Sequence, residues 1–155
     1  MCNLTFGQIE MNKSKERCKI KFELPADYSF VSQNAKMREQ YQSSDGCAFG
    51  YDIGRELNSF QDVEIISAMT AGGLSESLSD FEIIFHDNES YIGDQRYVLV
   101  VYSCKEKGES VYNALFMTLK SDNLVTFSFG CPLNIAEAKV PELNEIMESV
   151  FYECR

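Results

Sequence analysis

The sequence has little of what catalytic chemistry needs. It holds one histidine, His86, and six cysteines, Cys2, Cys18, Cys47, Cys104, Cys131 and Cys154. No two cysteines fall within a C-x-x-C spacing, which argues against a zinc site, and no metal site is expected. Gly7, Gly46, Gly50 and Gly54 are dispersed, and Gly72-Gly73 precedes a polar stretch, so no loop is organised to cradle phosphate and no cofactor is implied. No apolar run approaches the ~20 residues of a membrane span. Met1 to Arg17 lacks the apolar h-region of a signal peptide. The chain as given is therefore expected in the cytoplasm, or outside it if a leader has been removed.

Repeats, low-complexity tracts and linkers rich in Pro, Gly or Ser are also missing. With 155 residues and 45% hydrophobic content, one sizeable core is expected. The whole chain, 1–155, reads as one domain, with 1–18 a loose N-terminal segment. The formal charge of -10 disfavours nucleic acid and anionic lipid, because a phosphate-binding face needs clustered Lys and Arg. A solvated, self-repelling surface accounts for the acidity. If it serves recognition, the partner is another protein with a basic surface.

What is present is architecture, concentrated in Phe81 to Phe151. Strands are expected near Phe81–His86, Tyr97–Cys104, Val111–Leu119 and Leu124–Gly130. The unbroken apolar run Tyr97 to Tyr102 marks a strand buried on both faces. Glu106-Lys107-Gly108 and Ser121-Asp122-Asn123 read as three-residue hairpin loops, each ending in a left-handed residue. The first loop sets Tyr102 opposite Tyr112 and Leu99 opposite Leu115. The second sets Leu119 with Val125, Met117 with Phe127 and Leu115 with Phe129, which keeps one face apolar throughout.

A last helix carries the stripe Leu143, Ile146, Met147, Val150, Phe151 and Cys154. Pro141 suits its first turn, so a break is expected near Val140, with Asn134–Lys139 a separate turn or short helix. Ser59 followed by Asp62 resembles a helix start and Gly72-Gly73 a stop, although Val63-Glu64-Ile65 also alternates like a strand and its β-branched residues lower helix propensity. Ile20, Phe22 and Leu24 alternate as a half-buried strand, Ala48–Ile53 reads as another, and Gln33–Ser44 as an exposed polar helix or loop. Tyr28, Phe30, Tyr41, Phe49 and Tyr51 suit either a groove lining or, more simply, core packing.

The hairpin registers put Cys104 and Cys131 on opposite faces, where no disulfide can join them. Cys154 reads as a small buried hydrophobe. A Cys2–Cys18 bridge is geometrically open, against a background of reduced cytosolic cysteines. His86 with Asp87, Glu89 and Asp94 is the single cluster with catalytic or ligand potential. It would make a general base oriented by a carboxylate, as a small hydrolase or metal-dependent enzyme would use. The simpler reading is a polar hairpin end between Phe85 and Tyr91, with no catalytic role. The spacing of Asp87-Asn88-Glu89 is not that of a calcium loop.

Leu24-Pro25-Ala26-Asp27-Tyr28 closing a strand, Tyr91-Ile92-Gly93-Asp94 leading into a long strand, and a terminal Ile146-Met147-Glu148-Ser149-Val150-Phe151 form an order of elements that resembles the PsbP-like superfamily across Lys19 to Tyr152. The resemblance implies an α+β fold, an antiparallel sheet covered by helices on both faces in an α-β-α sandwich. It also implies a binding or assembly protein, such as a bacterial adaptor or chaperone-like module, not an enzyme. The superfamily has no common site motif, so no functional residue follows from it.

Overall fold

The computed structural model describes residues 18–32 and 37–154. In chain order they form β1 (Cys18–Lys21), β2 (Ser29–Ser32), β3 (Glu39–Gln42), β4 (Ala48–Glu56), α1 (Phe60–Ser77), β5 (Ser79–Ile92), β6 (Gln95–Glu106), β7 (Glu109–Lys120), β8 (Asn123–Pro132), α2 (Ala136–Glu148) and β9 (Phe151–Cys154). Seven strands make an antiparallel sheet in the order β2-β3-β4-β8-β7-β6-β5, while β1 and β9 pair separately. The expected strands from Ala48 onward recur within β4 to β8, while of the strand expected through Ile20, Phe22 and Leu24 only Ile20 lies in a strand, β1. β3, however, lies where Gln33–Ser44 was expected to be helix or loop, and 33–36 lie outside the described residues, as do 1–17 of the N-terminal segment.

Both hairpin registers differ from expectation by one residue. Glu106 faces Glu109 and Lys120 faces Asn123, so each loop has two residues, Lys107-Gly108 and Ser121-Asp122. All four loop residues have positive φ: 50°, 81°, 46° and 65°. That is the type I′ geometry, whose twist matches the strands it joins. Met117 then faces Thr126 and Leu115 faces Ser128, so Met117 and Phe127 point to opposite faces. Ser103, not Tyr102, faces Tyr112, and Val100, not Leu99, faces Leu115. The segregation argument failed because both faces are buried. Thr126 and Ser128 are themselves only 6% and 7% exposed, so polarity no longer identifies an outside.

Successive residues of β6 feed two separate cores. Val98, Val100, Tyr102 and Cys104 join Leu115, Met117 and α1's Val63 and Leu74. Tyr97 and Val101 join Phe116, Phe127, Phe129 and α2's Leu143, Ile146 and Met147. Along a strand such alternation sends side chains to opposite sides.

α1 begins as the sequence suggests, with the Asp62 carboxylate accepting the Asn58 and Ser59 N–H groups at 3.0 and 3.2 Å. It does not stop at Gly72-Gly73. Buried Leu74 beyond the pair anchors the final turn, at a propensity cost of ~1 kcal/mol per glycine relative to alanine. α2 likewise shows no break near Val140, and Pro141 lies inside it. Only the hydrogen bond to the Glu137 carbonyl is forfeited. Both residues are exposed, so water can serve that carbonyl, while buried Ala136 holds the turn before it.

The helix stripe ends at Met147, because α2 closes at Glu148 and Val150 lies beyond its cap at Ser149. Phe151 to Cys154 form β9, and Phe151 is 58% exposed. Cys154 is not a buried hydrophobe: it is disulfide-bonded to Cys18 on β1. That pairing excludes the Cys2–Cys18 bridge that the sequence left open. Cys104 is disulfide-bonded as well, so the expectation of reduced cysteines gives way.

Candidate functional site

The sole histidine lies on β5, the edge strand of the large sheet among the described residues. The expected hairpin end at 87–90 does not exist, because β5 continues to Ile92 and turns at Gly93-Asp94 into β6. His86 is exposed, with Val100 as its cross-strand partner. Asp87 accepts the Glu89 N–H at 2.9 Å and the Ser90 hydroxyl at 3.0 Å, a local turn within the strand. Glu89 lies 3.7 Å from Arg96. Asp94 sits beyond the end of the strand. The four residues thus run along an edge and do not converge, and among the described residues no three His, Cys, Asp or Glu groups are placed to hold a metal ion.

Arg96 secures this edge to the helix. Its Nε donates to the Asn88 carbonyl at 3.0 Å, its terminal nitrogen to Glu64 at 2.7 Å, and its guanidinium stacks 4.1 Å over the Phe60 ring. One planar cation therefore joins β5, β6 and α1.

β5 has a second property that the periodicity concealed. Ile83, Ile84 and Phe85 are 42%, 52% and 49% exposed, in a strand whose outer side has no partner strand among the described residues. A register shift between Ile83 and Phe85 makes Ile84 the extra residue of a bulge, which re-aims side chains at an edge. Asp80, Glu82, Asp87 and Glu89 line the same strand, and among the described residues Lys105 lies 3.1 Å from Asp80 and Arg96 3.7 Å from Glu89. The adjacent Ile83-Ile84-Phe85 breaks strict alternation, and that was the available sign of a bulged strand. The opposite edge, β2, is only four residues long.

Among the described residues, clefts lie on either side of the sheet's ends, and two of them are not lined by His86. One, of about 590 Å³, is bounded by Asp94, Gln95, Lys120, Glu148, Phe151 and Tyr152. In it Lys120 lies 5.1 Å from the Tyr152 ring centre, and burial pushes the Tyr152 hydroxyl pKa up. The other, of about 820 Å³, includes Asp45, Leu133 and Lys139. There hydrogen bonds from Lys139 and Ser43 hold the Asp45 carboxyl at about 2. The aromatic residues read as groove or core are mostly packing: Phe22 meets Tyr41, Phe49 and Tyr51 edge-on at 5.7, 5.2 and 5.6 Å.

No protein-family model matches the chain, and no curated protein matches its sequence. Solved structures do match in fold. LpqN of Mycobacterium tuberculosis, described as involved in cell envelope biogenesis, shares 11% identity at a TM-score of 0.64, over 92% of this chain and 87% of that one. Cyanobacterial PsbP from Synechocystis shares 13% at 0.60, over 88% and 93%. The Ran-binding protein Mog1p of Saccharomyces cerevisiae shares 11% at 0.58, over 85% and 89%. The fold is PsbP-like, an α+β arrangement dominated by antiparallel sheet.

Proposed function

On this PsbP-like fold, we propose that the chain is a non-enzymatic binding or assembly module, a single α-β-α sandwich that adds an extended segment of a partner protein to β5. The carrying observation is the fourteen-residue β5 edge with Ile83, Ile84 and Phe85 about half exposed. An unpaired strand offers a row of free N–H and C=O groups, and pairing them supplies affinity while alternate side chains supply specificity. The acidic residues along β5 select a segment in which apolar residues alternate with Lys or Arg. His86 has no catalytic role in this reading. Work outside the cytoplasm is supported by the disulfides at Cys18–Cys154 and Cys104, since such bonds persist in oxidising compartments.

The test uses a randomised peptide library as probe. Enriched peptides are expected to alternate apolar and basic residues, and to bind more weakly as salt rises from about 50 to about 200 mM. Ile84→Lys and Phe85→Lys, each checked for a native circular-dichroism spectrum, should weaken a synthetic version about tenfold. His86→Ala should leave it unchanged. Peptides that bind both lysine variants as tightly as the original chain would sink the proposal.

A further inference from the structure

The six cysteines are not spent evenly. Cys18 and Cys154 are bonded, Cys104 is disulfide-bonded, and the free thiols among the described residues are Cys47 and Cys131, both buried. These two are neighbours. The β4–β8 register opens with Ala48 opposite Gly130, so one further step sets Cys47 opposite Cys131. Both side chains enter the same core as Phe49 and Phe129.

The backbone at Cys47 decides which kind of pair this is. Its N–H donates to the Ser43 hydroxyl at 3.0 Å, and its carbonyl accepts the Ser43 N–H at 2.8 Å. Both main-chain groups are thereby turned toward the β3–β4 turn and away from β8. A cross-strand pair without mutual hydrogen bonds brings its Cα atoms to ~4.5 Å, the closer of the two antiparallel spacings. That falls inside the ~4.4–6.8 Å that a disulfide usually spans. The chain already uses such an arrangement, because Cys18 and Cys154 are direct cross-strand partners with Cα atoms 4.1 Å apart.

We propose that Cys47 and Cys131 are joined as a cross-strand disulfide that clamps β4 to β8. In forming it, two S–H bonds break and one S–S bond forms. The two electrons and two protons pass to the disulfide of an exchange oxidant, which leaves as two thiols. Timing follows from the surroundings. Burial pushes the Cys47 thiol up to about 12 and raises Cys131 as well, and exchange needs the thiolate. The bond therefore forms before β4 and β8 close over it, and the folded protein neither makes nor breaks it readily.

Mass mapping of the full chain tests this directly. The chain is folded in a mixture of reduced and oxidised glutathione, denatured without reductant, alkylated and cut after lysine and arginine, which leaves every cysteine on its own peptide. The expected product is peptide 39–55 joined to peptide 121–139, with neither cysteine alkylated. In Cys131→Ser, alkylation should reach Cys47. Alkylation of both Cys47 and Cys131 in the unreduced chain while Cys18–Cys154 is intact overturns the proposal. Linkage of either to another cysteine also overturns it, as does a Cys131→Ser chain in which Cys47 stays unlabelled.

Discussion

Tyr97 on β6 and Tyr152 on β9 meet hydroxyl to hydroxyl at 2.7 Å, a polar junction between the seven-stranded sheet and the β1–β9 pair. Tyr97 is 1% exposed, and its ring lies edge-on to Phe116 at 5.9 Å. The Tyr152 ring meets Phe127 at 6.4 Å. The small sheet is therefore docked on the same core that receives α2.

Removing one hydroxyl should cost more than removing both. Tyr152→Phe leaves the Tyr97 hydroxyl buried without a partner, at about 1–3 kcal/mol. Adding Tyr97→Phe should recover part of that loss. Urea titration of the two single variants and the double variant measures the coupling, and costs that simply add would show the hydroxyls to be independent.

Phe151 and Ile146 should behave oppositely on truncation. Ile146 is 1% exposed within the α2 core, so Ile146→Ala should cost about 2–5 kcal/mol. Phe151, which faces solvent, should cost under about 1 kcal/mol as Phe151→Ala. Denaturant midpoints at unchanged slope separate the two.

Alanine should stabilise α1 at Gly72 and at Gly73, by about 0.4–1 kcal/mol each, because a Cβ at either position meets nothing within 4 Å. Gly50 is the counter-case. A Cβ there would lie 2.8 Å from the Glu39 carbonyl oxygen and 2.9 Å from Met37 Cε, so Gly50→Ala should lower the melting temperature where the helix variants raise it.

Asp45 should make the protein acid-sensitive over a defined range. Its carboxyl is depressed to about 2 from an ordinary 3.8 by hydrogen bonds from Lys139 and Ser43. A depressed acid adds stability above its unfolded value and loses it as pH falls through the folded one, here between about pH 4 and about pH 2. Asp45→Asn should be less stable at neutral pH, with the gap closing across that window in thermal melts. The Asp45 side chain is 38% exposed, so solvent screening keeps the effect small.

The candidate site was legible only in part. His86 and its acidic neighbours were identifiable by residue type, but their placement was misread, because a bulged strand interrupted by Asp87-Asn88-Glu89 resembles two strands and a loop. The Asp87 side chain makes its turn-like bonds inside the strand, and those local signals are the same in either setting. That β5 is an edge at all depends on which strands reach it, and no local pattern encodes that.

Local physics sufficed wherever a single segment decided the outcome. The two-sided burial of β6, the Ser59–Asp62 start of α1 and the buried Leu143, Ile146 and Met147 of α2 could be read from apolar spacing and capping chemistry. The tertiary structure alone decided register, the fate of the C-terminus and the cysteine pairing. Residues on both faces of β7 and β8 are buried in the two cores, so polarity could not fix the register from the sequence. Phe151 and Cys154 fit a helical period, yet β1, 136 residues earlier at Cys18, offered them a strand partner and a covalent bond. The sequence carries both possibilities, and only the folded chain brings the competing partner close enough to choose.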